Sequence, residues 1–483
     1  MSSVLSTSSG AQTPAGSDAK HWVTGTIVDF IQRTRYADLS SAALNQAKLA
    51  ILDTIGVTIA GVATPTGQAV CRVAREMGGR PTATVIGGGF QVDPATAALV
   101  NGTTGHALDY DDVSWTMIGH PSVLLLPAVL GLAEEKGASG QELLVAYVTG
   151  FEVAAKLGLS MNPDHYELGF HATGTLGTIA AAAASAKILG LDEQQTRWTI
   201  GIAASSASGI RQNFGTDTKP FHAGNAARAG VLAAKLAAAG FTADSNAMDQ
   251  RWGFVNVFGK SGQFRPEVFE RLGEPWDIVD PGMLLKMYPS CVSTHTSIDA
   301  TLELCSDHDL HAEDIEFIDV GVVQLSTKML IHDRPVKGLE GKFSMPYCVA
   351  RAVLDRSVRL AHFVDAAVME PKVQALLRRA AMRIEPAVND TWQRGTPRPA
   401  IVTVRMKDGR SYSQRIDNPS GNTGNIELGK VWDKFQDCAQ TLGDEKAVEQ
   451  CRKAVMNLER VGDVREFTRA IAGRRFDTVG IRF

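Results

Sequence analysis

The sequence predicts a mainly α protein: a large all-helical domain carrying a smaller α+β lid domain. Three observations predict it. Apolar residues recur at helical spacing from about residue 21 to 282, β-branched runs and a hairpin signal fall between 283 and 421, and the helical pattern returns from 422 to 483. At 483 residues the chain exceeds the size at which one hydrophobic core usually stops growing, so more than one domain is expected.

The first 20 residues are rich in Ser, Thr and Gly and read as a disordered tail, without the basic and apolar regions of a signal peptide. In the next segment Leu44, Ala47, Ile51, Ile55 and Ile59 repeat every three or four residues and share one helix face. The stretches 175–190 and 225–240 are dominated by Ala and Gly, as in central helices that neighbours approach closely. After residue 283, the run 314–327 is rich in β-branched residues, and Asp408-Gly409 separates two alternating runs as a hairpin turn would. Between them, 344–354 reads as helix. The later return to helix implies a helical domain interrupted by the inserted lid.

Hydrophobic residues make up 44% of the chain and charged residues 21%, so a folded protein is expected, and no apolar run reads as a membrane span. The net charge is −4 with scattered Lys and Arg, which argues against a nucleic-acid partner. The six cysteines include no C-x-x-C pair, which fits reduced thiols in the cytoplasm. Gly87 to Gly89 lack the spacing of a dinucleotide or phosphate loop and read as a turn. No EF-hand or H-E-x-x-H pattern occurs, so neither a metal nor a cofactor is expected.

Four polar segments stand out. The stretch 101–122 gathers His106, Asp109, Asp111, Asp112 and His120, close enough to tune one another's proton affinity. In 167–178, His171 precedes a Thr/Gly stretch that could open a helix facing an anion. In 211–228, Arg211, Lys219, His222 and Arg228 precede a helix, where cations are unfavourable unless an anion joins them. In 284–299, Lys286, Tyr288, Ser290, Cys291 and His295 fall at the expected domain junction, where clefts form. The structural alternatives are helix caps for the acids and threonines, and a solvated basic loop for 211–228.

Taken together, HALDYDD followed by HPS, then GFHATGTLG, TKPFHAGNAAR and KMYPSC resemble the MmgE/PrpD superfamily in order and spacing. The resemblance covers the chain from about residue 22 and implies a helical domain plus an α+β lid, a homodimer, and no organic cofactor. It implies activities such as 2-methylcitrate dehydratase, cis-aconitate decarboxylase or iminodisuccinate epimerase. Carried over motif by motif, it implicates Asp109, His120, His171, Lys219, Lys286 and, from SMPYC, Tyr347. The chain departs from the decarboxylase branch at Val113, where that branch has Thr, and carries one extra residue before HPS.

The expected enzyme is therefore a lyase acting on a small di- or tricarboxylate. His120, Asp109, Lys219 and Tyr347 are the expected catalytic set, with His120 moving the proton and Asp109 orienting its ring. His171, Lys286, Arg211 and His222 are the expected substrate-binding set. An epimerase of the same superfamily, a metal-dependent hydrolase or hydratase built on the Asp/His cluster, and a non-catalytic helical scaffold are the alternatives.

Overall fold

The alanine-rich segment at 175–190 forms, up to residue 189, most of the helix Ala172–Leu189, buried throughout except at Lys187 and Leu189. Because its side chains are small or apolar on every face, no stripe remains for solvent and neighbours can pack all round it. Those neighbours are Ser122–Lys136, Gly140–Met161, Glu193–Ser206 and Thr218–Ala238. The helix ends at Gly190, whose φ of +69° is a left-handed cap that glycine adopts without a steric penalty. The computed structural model describes residues 23–393, 395–442 and 445–472, so the tail expected over 1–20 lies outside it.

The contact that most directly shapes the site is backbone against backbone. A Cβ at Gly224, in Thr218–Ala238, would sit 2.2 Å from the Leu99 carbonyl oxygen in Pro94–His106. A Cβ at Gly102 would sit 2.7 Å from the Gly224 Cα. The second helix starts where Asp93 accepts from the backbone N–H groups of Ala95 and Thr96 at 3.0 and 3.1 Å, with Pro94 in the first turn. Its last residue is His106.

After residue 291 a second hydrophobic core takes over. A four-stranded sheet orders Ala380–Ile384, Ile315–Val322, Ala400–Met406 and Ser411–Ile416. The first pair is parallel and the others antiparallel. The Asp408-Gly409 hairpin thus forms as expected, whereas the β-branched run at 314–327 is strand only over Ile315–Val322 and then turns into the helix Gln324–Met329. Helices His295–His308 and Met345–Asp355 pack with this sheet. Beyond it, Val431, Phe435, Val455, Phe467 and Ile471 return to the first core. All six cysteines are free and buried.

One expectation is corrected. Gly140–Met161 and Ala172–Leu189, of 22 and 18 residues, are apolar and long enough to cross a membrane by length and composition. Their apolar windows are 94% and 89% buried within the fold, so this apolarity serves packing between helices.

A two-residue strand pair joins the two regions: Val113–Ser114 runs antiparallel to Met283–Leu284. Leu284 also bridges to Asn422, whose side chain accepts from the Trp115 indole at 2.6 Å. The acidic loop, the junction before Lys286 and the return to the C-terminal helices are thereby fixed together.

If the close approach at Gly224 is a packing requirement, Gly224→Ala destabilises the fold by about 1–3 kcal/mol. Gly429→Ala, exposed in the helix Leu428–Ala439 with nothing within 4 Å of the new Cβ, keeps stability or raises it by up to about 1 kcal/mol. Denaturant midpoints of the two variants check this, and equal midpoints would contradict it.

Candidate active site

The loop after His106 turns sharply because Asp109 adopts a φ of +50°, a left-handed conformation that Asp tolerates better than most residues. The turn directs the Asp109 carboxylate to two lysines from distant parts of the chain. Oδ1 accepts from Lys219 Nζ and from Lys286 Nζ, both at 2.8 Å, and Lys286 also donates to the Asp109 carbonyl at 2.8 Å. All three residues are buried. Burial alone would raise the Asp109 carboxyl, but the two ammonium groups outweigh it and hold it well below the usual carboxylate range.

Lys219 reaches this point from inside the helix Thr218–Ala238. His222 and Arg228 are in the same helix and do not precede it, because Pro220 is compatible with the first turn. Lys286 follows the short strand Met283–Leu284, and its carbonyl accepts from Lys434 Nζ at 2.9 Å. Lys434 also pairs with Asp53 at 2.6 Å, so a second buried ion pair supports the first from behind.

The His120 ring is oriented by Asp111 and the Asp112 backbone. Its Nδ1 lies 3.0 Å from both the Asp112 carbonyl oxygen and Asp111 Oδ2, while its Nε2 lies 3.9 Å from Asp109 Oδ1 on the cavity side. Asp111 also faces His106 Nδ1 at 2.9 Å. The His120 backbone N–H donates to Thr173 Oγ1 at 3.1 Å, which ties the ring to the start of the central helix. Burial lowers the proton affinity of His120 against the pull of Asp111, and pushes His106 down to about 3. The rings are thus held as neutral imidazoles that can accept a proton.

The neighbouring acid behaves oppositely. Asp112 accepts from the Ser122 hydroxyl at 2.5 Å and the Ser122 N–H at 3.2 Å. Burial, reinforced by the charges of Asp111 and Asp53, pushes it up to about 8.

These groups meet at a small, partly open cavity of about 30 Å³. Asp109, His120, His171, Lys219 and Lys286 line it, so five of the expected site residues come together. Apolar walls come from Ile118, Phe214, Met329 and Phe343. Ile118 has a φ of +50°, a strained conformation for a β-branched residue, stored beside the site. His171 Nδ1 lies 3.0 Å from His222 Nδ1, so one ring donates and the other accepts. Burial, with the Lys219 charge, lowers both, His222 to about 4 and His171 well below its ordinary value.

Three expected residues stand elsewhere. Tyr347 is buried in the second core, where its hydroxyl donates to the His362 carbonyl and accepts from Arg351 Nε at 3.1 Å. Arg211 donates to the Tyr166 carbonyl at 2.9 Å and lays its guanidinium 4.0 Å from the Tyr166 ring centre. His222 meets the cavity only through His171. The Cys291 thiol lines the cavity and makes no hydrogen bond to an imidazole among the described residues. Arg398 and Tyr166 also line the cavity; neither stands out in the sequence, because an Arg before a β-branched run carries no motif.

His106, Asp109, Asp111 and His120 offer ligand atoms within 4.8 Å of one another. A divalent cation there would face two ammonium groups already bonded to Asp109, a severe repulsion at low dielectric.

Residues 25–267 match the MmgE/PrpD N-terminal domain and residues 288–460 the MmgE/PrpD C-terminal domain. The chain belongs to the MmgE/PrpD family. Family relatives include the cis-aconitate decarboxylase of Homo sapiens, 27% identical across 93% of this chain and 95% of that protein. The cis-aconitate decarboxylase of Aspergillus terreus is 28% identical across 93% and 96%. A probable 2-methylcitrate dehydratase of Saccharomyces cerevisiae is 24% identical across 70% and 69%. These relatives are lyases.

The opposite states of the adjacent acids can be tested. Folded Asp112 holds its proton up to about pH 8, whereas an ordinary Asp releases it near 3.8. The stability gained from holding that proton is full below about 3.8 and is lost as pH rises towards 8. Asp112→Asn therefore gains stability relative to the parent between these values, at up to about 1.4 kcal/mol per pH unit. Unfolding curves across that range check it, and a constant difference would contradict it.

Proposed function

We propose that this chain is a cofactor-independent lyase acting on a small di- or tricarboxylate, of the decarboxylase or dehydratase type, by proton transfer beside a carboxylate. The observation that carries this reading is the Asp111–His120 pair, with Nε2 turned towards a cavity where Lys219 and Lys286 share a single carboxylate.

The two ammonium groups keep N–H donors that Asp109 does not take, and an incoming carboxylate accepts from them. With the substrate so placed, His120 Nε2 takes the proton from the adjacent carbon, and Asp111 stabilises the imidazolium that forms. The C–H electron pair moves into the carboxylate as an enediolate, whose added negative charge the lysines bind more strongly than they bind the ground state. Expulsion of the β-hydroxyl, which takes the proton from the His120 imidazolium and leaves as water, completes dehydration. In decarboxylation the C–C pair left by departing CO2 is stabilised in the same place, and His120 Nε2, first protonated from solvent, delivers that proton to the carbon. Asp109 holds the lysines while Asp111 orients the base, which revises the role expected for Asp109. Tyr347, bonded into the second core, supports the lid-side packing in this mechanism.

Incubation with cis-aconitate, 2-methylcitrate, citrate and iminodisuccinate in deuterium oxide, with and without a chelator, tests the proposal by NMR. Carbon-bound deuterium in a decarboxylated product, or a dehydrated product with deuterium exchanged into the recovered substrate, insensitive to chelation, is expected. His120→Gln should lower kcat by about 100-fold or more. Because burial lowers His120, dehydration should persist through the ordinary imidazole range near 6.5 and fall only at more acid pH, whereas decarboxylation, which needs the imidazolium, should rise towards acid pH. Loss of turnover on chelation would favour the metal-dependent reading, and racemised iminodisuccinate without elimination would favour an epimerase.

A further inference from the structure

The cavity contains a third cation that the proton-transfer chemistry leaves unused. Arg398 is 3% exposed and lines the cavity, just ahead of the strand Ala400–Met406. Among the described residues no carboxylate pairs with it. Its one side-chain hydrogen bond is a long one, from Nη1 to Ser293 Oγ at 3.4 Å, and its Nε is buried with no acceptor. Its backbone is fixed, since its carbonyl accepts from Thr296 Oγ1 at 2.9 Å. The guanidinium lies 5.5 Å from the Trp115 ring centre, a contact that offsets only part of its lost hydration.

Tyr166 lines the same cavity, is 1% exposed, and its hydroxyl has no partner among the described residues. Arg211 stacked on its ring holds it in place. An unpaired guanidinium and an unpaired hydroxyl facing one cavity both lack an acceptor. Burying a charge this way is costly unless an anion joins it. Neither group hydrogen-bonds to the Lys219–Asp109–Lys286 cluster, so they form a separate binding point.

We propose that Arg398 and Tyr166 form a second carboxylate subsite, which makes the enzyme selective for substrates with two or more carboxylates over monocarboxylates. This rests on the reading of the cavity as a carboxylate-lyase site and adds the element that selects the substrate. The lysines hold the carboxylate beside the reacting carbon. Arg398, which comes from the lid side, holds a remote one, so the full set of contacts needs both regions of the chain. A planar guanidinium suits this task because it meets both oxygens of a carboxylate at once.

The test is a ligand-observed NMR titration of the full chain with tricarballylate, which has three carboxylates and is not a substrate for elimination, and with butyrate, which has one. Arg398→Met should weaken tricarballylate binding by about 10- to 100-fold, the worth of one charge-assisted contact, and leave butyrate binding within about twofold. Tyr166→Phe should weaken tricarballylate binding by about fivefold. Without ligand, Arg398→Met should unfold at or above the parent temperature, because the substitution removes an unpaired buried charge. Should that variant fail to fold, Arg398→Lys and Tyr166→Phe carry the same comparison.

Unchanged tricarballylate binding, equal loss for both ligands, or no tricarballylate binding to the parent protein would overturn the subsite. The lyase reading fails separately. Arg398-dependent binding without turnover of cis-aconitate or 2-methylcitrate leaves the subsite standing and removes the reaction, whereas turnover with an unaltered KM in Arg398→Met does the reverse.

Discussion

Asp109 joins three stretches of chain through one buried carboxylate, and most of the site's geometry follows from that ion triplet. Lys219 arrives from a helix more than a hundred residues downstream and Lys286 from the junction between the two cores. Breaking such a buried pair by removing one partner typically costs about 3–5 kcal/mol, because the remaining charge is stranded. The surrounding structure is organised to prevent this. Glycines let the helix bearing Lys219 press against the helix ending in His106, and the strand pair Val113–Ser114 with Met283–Leu284 fixes the loop against the junction. Lys434 secures the Lys286 backbone from beneath.

The same triplet sets the electrostatics. With Asp109 and Asp111 ionised, the imidazoles neutral and Asp112 protonated, cationic side chains outnumber anionic ones around the cavity once Arg398 is included. Lys342 shows how far burial can shift a cation here: though it faces Asp109, it is pushed down to about 7. It donates to the carbonyls of Leu108 and Pro289, so it also stitches the acidic loop to the junction. A cavity with an excess of fixed positive charge and apolar walls admits an anion and excludes competing water, as charge-building chemistry beside a carboxylate requires.

Much of this was legible in the sequence because the signals are local. Small residues repeated through 175–190 and 225–240 announce buried helices, and Asp408-Gly409 announces its hairpin. The density of acids and imidazoles between His106 and His120 marks the site loop without any structure. What stayed hidden depends on where side chains point. The choice between Asp109 and Asp111 as the partner of His120 turns on one left-handed residue, which no spacing rule shows. Tyr347 sits in a motif that the resemblance implicates, yet its helix turns the hydroxyl towards His362. Arg398 precedes a strand by two residues and reads like any surface arginine until the fold encloses it. The apolar length of Gly140–Met161 is ambiguous in sequence, and packing resolves it.

The central claim is that a substrate carboxylate joins the Lys219–Asp109–Lys286 cluster and presents a carbon to His120. A crystal structure of the protein grown with tricarballylate and physiological divalent cations tests it directly. The account predicts one ligand carboxylate within hydrogen-bonding distance of both lysine Nζ atoms and a methylene facing His120 Nε2. An ion bound by His106, Asp109, Asp111 and His120, with the lysines displaced, would contradict it, as would a ligand seated away from His120.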